Sequence, residues 1–341
     1  MLPARKFPDA PGKAAVTGKP TLVYLLAASH SGSTLLSLLL ASHPEICTTG
    51  ELKATSLGDP SRYRCSCGMP IRQCPFWADV TRTMAAHGCS FDVTRAATHL
   101  NMGASPYEQW LLQPLVRQRP VEIVRDAALA LSLSWRRRLA EFHRTNEALV
   151  RALCERTGAR MVVDSSKVGI RLKYLLRNPT LDMRVIRLVR DGRGVALTYT
   201  NSDEYADASS AQLRRGGSGD GRSRDHLSFR EGAHEWRRSN EEADALLTTL
   251  DPARCTTVTY EQLCSNPQTA LTSLWSFLGV TPVALDQQWR AKSRHVIGNG
   301  MRFDSTEDVR LDERWRTALN ASDLAIFDAE AGVLNRRFGY P

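Results

Sequence analysis

Residues 29–36, SHSGSTLL, form a short polar turn of small residues between an apolar run and a helix-like segment. The backbone N–H groups of residues 31–35 would point at whatever lies at the start of that helix, where these donors and the helix dipole favour an anion. Gly32 permits close approach of the backbone, while Ser33 and Thr34 add hydroxyl donors. The pattern predicts a phosphate-binding loop, with an ordinary capped helix as the alternative. The Gly-Lys-Ser/Thr of nucleotide-dependent kinases is absent from it.

A second stretch with phosphate chemistry is LVRDGRGVALTYTNS, residues 188–202. Arg190 ends an apolar run, Arg193 follows three residues later, and Thr198 falls on the helix that is predicted next. A guanidinium group suits bidentate recognition of phosphate. The alternative is a plain surface ion pair between Arg190 and Asp191, which would carry no function.

The chain has eight cysteines, and several of them cluster. The clustered cysteines and a nearby histidine are Cys65, Cys67, Cys74, His87 and Cys89. Four of these five side chains would suffice for a tetrahedral zinc site. However, C-x-C followed by six residues and a third cysteine is not a common structural-zinc spacing. We therefore expect buried thiols in a loop anchored by Phe76 and Trp77, and no metal.

The elements that must position these residues follow from the apolar pattern. Short apolar runs predict four buried strands, at residues 21–28, 159–166, 182–190 and 255–260. Helix-like segments separate them, including residues 33–43 and most of 104–157, and Asn266 and Pro267 predict a helix start. Alternating strands and helices indicate a parallel sheet covered on both faces. Ligands bind such sheets beyond the carboxyl ends of the strands, where three of the four predicted strands run into polar turns.

Taken together, the two loops resemble the sulfotransferase family that uses 3′-phosphoadenosine 5′-phosphosulfate (PAPS). In that family, a strand–loop–helix of the type R-S-G-S/T-T-x-L holds the 5′-phosphosulfate, and a later hLVRDxR…S/T element holds the 3′-phosphate. Further matching stretches are DSSK (164–167), HEWRRSN (234–240), VTYEQLCSNP…FLGV (258–280) and GNGMRF (298–303). The resemblance runs from about residue 20 to the C-terminus and implies an α/β fold: a P-loop-like parallel sheet flanked by helices, with a helical insertion.

The resemblance also implies which residues bind the nucleotide. The 5′-phosphate would be held, mostly through backbone, by Ser31, Gly32, Ser33, Thr34 and Leu35. Arg190 and Thr198, eight residues apart, occupy the positions that bind the 3′-phosphate. Asn299 and Arg302 are candidates in a late loop that closes on the nucleotide.

For catalysis, the chain departs from the family pattern at one position, because His30 replaces the usual Lys or Arg before Ser-Gly. The family's cation neutralises charge on the bridging oxygen as the sulfuryl group leaves. A histidinium can do the same, and Lys167 of DSSK is a candidate to supply positive charge. The block around His43 resembles the tyrosylprotein sulfotransferase branch, in which a glutamate follows at a fixed distance. That position is Glu51, which we predict to be the base, rather than Glu45.

These assignments predict a PAPS-dependent sulfotransferase that transfers a sulfuryl group in line to a hydroxyl group, with PAP as product and no metal needed in principle. The alternatives are a P-loop nucleotide-dependent kinase and a PAP-binding protein with impaired catalysis, the latter suggested by His30. A nucleic-acid-binding role is disfavoured because aromatic residues make up only 7% of the chain. No motif names the acceptor; we expect a small molecule, a saccharide or a lipid-linked substrate.

Composition is that of a globular protein, with 42% hydrophobic and 24% charged residues among 341 and a net charge of +9. We expect residues 1–19 to be a disordered lead and 20–341 a single domain, with a helical substrate insert at about 54–157 and a mobile loop at about 203–230. The apolar stretch 21–41 is interrupted by polar residues, so no transmembrane segment is predicted. A cytoplasmic location follows as an expectation, whereas the oligomeric state is not indicated.

Overall fold

The computed structural model describes residues 18–53, 61, 63–96, 98–100, 104–113, 119–201, 227–286, 288–292, 295–298 and 308–341. Asn299 and Arg302 lie outside the described residues, as do most of the lead and most of the predicted mobile loop.

Five parallel strands form one sheet in the order β2-β3-β1-β4-β5. The strands are β1 (Thr21–Ala27), β2 (Ile46–Thr48), β3 (Met161–Lys167), β4 (Asp182–Val189) and β5 (Cys255–Thr259). The predicted fold class is confirmed, and the four predicted strands are present to within two residues at each end. The strand β2 was not predicted, because three residues are too few to show a period.

Helices precede, follow and connect these strands. The α-helices are α1 (Ser33–Leu40), α2 (Pro75–Ala86), α3 (Pro106–Leu111), α4 (Arg119–Leu131), α5 (Leu133–Thr157), α6 (Gly169–Leu175), α7 (Gly192–Thr200), α8 (Phe229–Leu247), α9 (Tyr260–Ser265), α10 (Pro267–Phe277), α11 (Trp289–Lys292), α12 (Trp315–Ala318), α13 (Ala321–Phe327) and α14 (Val333–Arg337). Short 3₁₀ turns occupy Ile71–Gln73, Val93–Arg95 and Pro252–Arg254, and a π-helical turn occupies Asp328–Gly332. Within the described ranges, no helix is both long and apolar enough to cross a membrane.

The central strand β1 is buried on both faces, which explains its unbroken apolar sequence. Alternate residues point to opposite sides of the sheet. Leu22 and Tyr24 belong to a core shared with α2 and α5, whereas Val23 and Leu25 belong to a second core shared with α1 and α10. The sheet is therefore held between two helical layers, and its carboxyl edge is left to carry polar loops.

Local signals set the helix boundaries as the sequence predicts. At the start of α10, the Asn266 side chain accepts a hydrogen bond from Thr269 N at 3.2 Å, and Pro267 occupies the first turn. The 25-residue helix α5 begins at the Ser132 cap and ends at Gly158, whose φ of 73° suits glycine.

Candidate functional site

The loop between β1 and α1 has the geometry of an anion cradle. Gly32 is the N-cap of α1 with φ 90°, and a Cβ there would lie 2.6 Å from a ring carbon of Tyr260. The first bond within α1 runs from Leu36 N to Gly32 O at 3.0 Å, so the N–H groups ahead of it face the open end of the helix. Ser31 is buried, and its Oγ has no hydrogen-bond partner among the described residues. These donors fit a phosphate group.

Arg190 directly follows β4 and reaches the same loop. Its Nη1 donates to the backbone oxygen of His30 at 2.9 Å, and its Nη2 donates to Asp312 Oδ2 at 2.9 Å. The guanidinium carbon also lies 4.4 Å from the centroid of the Tyr260 ring. Arg190 is only 4% exposed, and these contacts hold its positive charge beside the loop.

Asp312 lies about 120 residues from Arg190 along the chain and belongs to no sequence motif, so its contact with Arg190 was not predicted. Burial raises its pKa, but the hydrogen bond from Arg314 and the charge of Arg190 outweigh burial and hold the pKa of Asp312 well below its usual range. The carboxylate is therefore charged at neutral pH. It pairs with Arg190 Nη2 at 2.9 Å.

Arg190 and Asp191 pair with other residues, Asp312 and Arg193, which differs from the surface ion pair between them considered above. Asp191 pairs with Arg193 at 2.7 Å and caps α7 by accepting from the Arg193 N–H at 3.0 Å, while Arg190 turns to Asp312. Thr198 is buried on α7, and its hydroxyl donates to Gly194 O at 2.8 Å.

Glu51 lies just beyond the carboxyl end of β2, between two lysines. Its Oε1 accepts from Lys167 Nζ at 2.6 Å, and its Oε2 lies 3.4 Å from Lys53 Nζ. Lys167 also donates to the backbone oxygen of Ser165 at 3.0 Å. The two ammonium groups stabilise the anionic carboxylate. Lys53 was missed, although it stands two residues from the predicted base.

Two hydrogen bonds from the DSSK stretch hold the backbone of Gly50 and Leu52, the residues on either side of Glu51. Ser165 N donates to Gly50 O at 3.1 Å, and Asp164 Oδ1 accepts from the N–H of Leu52 at 3.0 Å. Asp164 is fully buried and pairs with the equally buried Arg171 at 3.2 Å. The segment is thereby fixed on both sides of Glu51, so that the carboxylate is aimed by β3 rather than by a flexible loop.

Two non-glycine residues in the left-handed region flank this edge of the sheet. His30 has φ 62° and Lys167 has φ 68°. Such backbone is uncommon outside glycine and often marks functional sites, where the surrounding structure maintains the strain. The His30 ring meets the ring of Tyr199 edge-on, with centroids 4.7 Å apart. His30, Lys167 and Arg190 thus follow or end three adjacent strands, β1, β3 and β4, at one edge.

A sequence profile described as the sulfotransferase family matches residues 23–284, more than half of the chain. The chain belongs to the sulfotransferase family. The family transfers sulfuryl groups, and nothing in the comparisons favours the kinase reading. A search of curated proteins finds no match to this sulfotransferase.

Solved structures also resemble it. The sulfotransferase domain from the curacin biosynthetic pathway is 17% identical with a TM-score of 0.50, and the match covers 95% of this chain and 99% of that one. The sulfotransferase domain of the Synechococcus PCC 7002 olefin synthase is 18% identical with a TM-score of 0.47, covering 95% and 97%. Sulfotransferase STF9 from Mycobacterium avium is 14% identical with a TM-score of 0.44, covering 92% and 76%. At 17% identity, the similarity to the curacin-pathway domain shows a shared fold and nothing more.

Glu45, the carboxylate rejected as the base of this sulfotransferase, and the nearby His43 both have structural partners. Glu45 pairs with Arg160 at 2.5 Å near the other end of the sheet. His43 is buried: its Nδ1 accepts from Glu45 N at 3.1 Å, so its Nε2 donates to Thr281 O at 3.0 Å. Both ring nitrogens of His43 are engaged, which favours a structural role for it.

His99 should make the stability of this sulfotransferase fall in mild acid. Burial, reinforced by the charges of Arg171 and Lys53, lowers the pKa of His99 from 6.5 to about 4. Between these two pH values the unfolded chain binds more protons, so the free energy of unfolding decreases as pH drops, by up to about 3 kcal/mol. Urea denaturation at pH 7, 6, 5 and 4 should show this decrease, and His99→Gln should show a shallower one. An equal slope in both proteins would rule out His99 as its source.

The cysteine cluster differs from the set considered in the sequence analysis. Cys65, Cys67 and Cys74 do converge, but their fourth neighbour is His295. His87 instead contacts Glu155 at 3.0 Å, and Cys89 is buried in the core beside α2 and α5. Of the five residues weighed as possible zinc ligands, His87 and Cys89 therefore lie apart from the other three, because sequence proximity does not bring their side chains to the same point.

Proposed function

We propose that this sulfotransferase moves the sulfuryl group of PAPS to a hydroxyl group of its acceptor, with Glu51 as the base. The observation that carries the proposal is the Lys167–Glu51 pair at 2.6 Å, at the edge of the sheet that also carries the phosphate loop and Arg190. A cation and a carboxylate beside an anion cradle are what sulfuryl transfer to an alcohol requires.

In this proposal the nucleotide is held at two points. Residues 31–35 bind the 5′-phosphate through backbone N–H groups and the unpaired Ser31 hydroxyl. Arg190 and Thr198 bind the 3′-phosphate on the β4 side, and Arg190 exchanges part of its contact with Asp312 for the phosphate. Asn299 and Arg302 belong to the proposal through the family resemblance alone.

The chemistry assigns one task to each group. Glu51 takes the proton of the acceptor hydroxyl as its oxygen attacks sulfur, and the bond from sulfur to the bridging phosphate oxygen breaks on the opposite side. His30 and Lys167 place positive charge or donated hydrogen bonds near that leaving oxygen. Both residues have left-handed backbone at this edge of the sheet, which is consistent with a functional site. The acceptor class remains as expected above: a hydroxyl-bearing small molecule, saccharide or lipid-linked compound.

The test is calorimetric titration of the full chain with PAP, and with AMP and ATP as matched ligands. We expect micromolar or tighter binding of PAP, and much weaker binding of AMP, which lacks the 3′-phosphate, and of ATP. A preference for ATP, or no binding of PAP, would overturn the nucleotide assignment.

His30→Arg tests whether the histidine replaces the family's cation. We expect turnover with PAPS to be retained or raised, because arginine restores a permanent charge at the same position. His30→Ala should lower turnover by about 10²-fold, the loss typical of a single stabilising donor. Single-turnover measurements with a generic alcohol or phenol acceptor would report both. Unchanged turnover in His30→Ala would exclude the role, and absence of transfer in every variant, with PAP still bound, would favour the catalytically impaired alternative.

A further inference from the structure

We propose that Cys65, Cys67, Cys74 and His295 bind one zinc ion, which fastens the segment 295–298 to the loop that carries the cysteines. The four ligand atoms all lie within 4.8 Å of one another. The site is separate from the proposed sulfuryl-transfer groups, and no step of the proposed reaction uses it.

Three of the six distances between the ligand atoms are close to those of an occupied tetrahedron, and all six are within 4.8 Å. Zinc binds thiolate sulfur at about 2.3 Å and histidine nitrogen at about 2.0–2.1 Å, so tetrahedral ligands stand about 3.8 Å apart for two sulfurs and about 3.5 Å apart for sulfur and nitrogen. Here Cys67 Sγ and Cys74 Sγ are 3.7 Å apart. His295 Nδ1 lies 3.4 Å from Cys74 Sγ and 3.6 Å from Cys65 Sγ. One ion at the centre needs little movement of these side chains.

A disulfide explains the cluster less well. Bonded sulfurs stand about 2.05 Å apart, far closer than the separation of Cys67 and Cys74. A disulfide would also leave unexplained why the Cys65 thiol and the His295 nitrogen converge on the same point. Three thiols and one imidazole with four protein donors form the closed ligand set of structural zinc, rather than a catalytic site with an open position.

The local backbone presents the ligands before any ion arrives. Cys65 and Cys67 both belong to a tight turn of residues 65–68, in which Gly68 N donates to Cys65 O at 2.8 Å and Gly68 takes φ 85°. Cys74 is fully buried at the start of α2. The His295 ring stacks on Phe76, with centroids 4.4 Å apart and planes 2° from parallel. The turn, the burial of Cys74 and the stacking of His295 hold the ligands in place beforehand, which lowers the entropy cost of forming the site.

The fastened segment is the one that packs against Glu51. Val296 N donates to Ser66 Oγ at 2.8 Å, so the two zinc-binding segments are also joined through hydrogen bonds next to their ligands. Gly298 N donates to the Tyr63 hydroxyl at 2.7 Å, and a Cβ at Gly298 would lie 3.3 Å from Glu51 Cγ. Zinc would thus stabilise the segment that lies against the Glu51 side chain.

Metal analysis of the full chain, purified without chelator, tests the proposal directly. We expect one zinc per chain by inductively coupled plasma mass spectrometry. Replacement by cobalt should give the visible bands of tetrahedral geometry and the near-ultraviolet bands of thiolate ligation. A chain that holds no zinc as isolated and takes up none after reduction would overturn the proposal, as would a Cys67–Cys74 disulfide in non-reducing peptide mapping or iron as the bound metal.

Variants assign the ligands. Cys67→Ser, at a half-buried position, and His295→Asn should lose most of the zinc and melt at lower temperature than the unchanged chain. Cys89→Ser is the matched control, because Cys89 is a cysteine of the same region that is more deeply buried than Cys67 and lies outside the cluster. Cys89→Ser should retain zinc even if the variant is less stable. If Cys89→Ser loses as much zinc as Cys67→Ser, the proposed ligand set is wrong. If the ligand variants do not fold, the metal content and the cobalt spectrum of the unchanged chain still test whether it binds zinc. None of these readouts involves PAP, so their failure would leave the proposed function standing.

Discussion

Replacing Glu51 with glutamine should lower the turnover of sulfuryl transfer by about 10²- to 10⁴-fold, the range that a positioned general base contributes. The amide keeps the size of the side chain and an oxygen that can accept from Lys167, but it cannot take a proton from the acceptor. Affinity for PAP should be largely unchanged, because the nucleotide phosphates are assigned to other residues. Turnover is measured by PAP release from PAPS, and affinity by calorimetry.

Glu45→Gln is the control for Glu51→Gln. Glu45 is a carboxylate six residues earlier, and it forms its ion pair with Arg160 instead of with the site lysines. Its replacement should leave turnover intact. Unimpaired turnover in Glu51→Gln would remove Glu51 as the base, whereas a parallel loss of PAP affinity would indicate that the Lys167–Glu51 pair shapes the nucleotide site instead.

Replacing Arg190 with alanine should weaken PAP binding by about 1.5–3 kcal/mol, or about 10- to 150-fold, through loss of charge-assisted hydrogen bonds to the 3′-phosphate. Binding of AMP should change little, because AMP lacks that phosphate. The comparison of the two ligands separates a direct contact from a general collapse of the site.

Stability must be followed in the same experiment, because Arg190→Ala also leaves Asp312 without its buried partner. Arg314 still pairs with Asp312 at 2.8 Å, so the free energy of unfolding should fall by less than the about 3–5 kcal/mol that an uncompensated buried charge costs. Arg187→Ala is the matched control: Arg187 is a buried arginine on β4 and pairs with Asp244 at 2.5 Å. It should lose stability but keep its preference for PAP over AMP. An Arg190 variant with the same preference would disprove the 3′-phosphate assignment.

The parts of the fold that the sequence predicted are those governed by neighbouring residues. The apolar run of β1 and the glycine-bearing turn after it carry their own signals, since a doubly buried strand is continuously apolar and a phosphate loop needs small residues. The cap of α10 at Asn266 is equally local. β2 was missed because it has only three residues, and it becomes a strand through its pairing with β3.

The parts of the site that were missed depend on contacts between distant residues. Asp312 meets Arg190, and His295 meets Cys74, across more than 100 residues of chain in each case. No spacing rule links such pairs, because the loops and sheet that bring them together are set by the whole core. Lys53 is different: it stands close to Glu51 in sequence, and a search for cations around the predicted base would have found it.

The position of β1 in the middle of the sheet has a consequence for how the chain folds. Thr21 pairs with Met161 on one side and with Asp182 on the other, partners about 140 and 160 residues later. At a synthesis rate of about 5–20 residues per second, the first of these partners follows only after about 7–28 s. During that interval, the β1 segment TLVYLLA and the apolar helix α1 after it lack both β3 and β4, the strands that pair with β1 in the folded protein. Nascent or truncated chains that end before β3 should therefore aggregate readily, and folding should be slow for a protein of this size, because closing the sheet depends on contacts of high sequence separation.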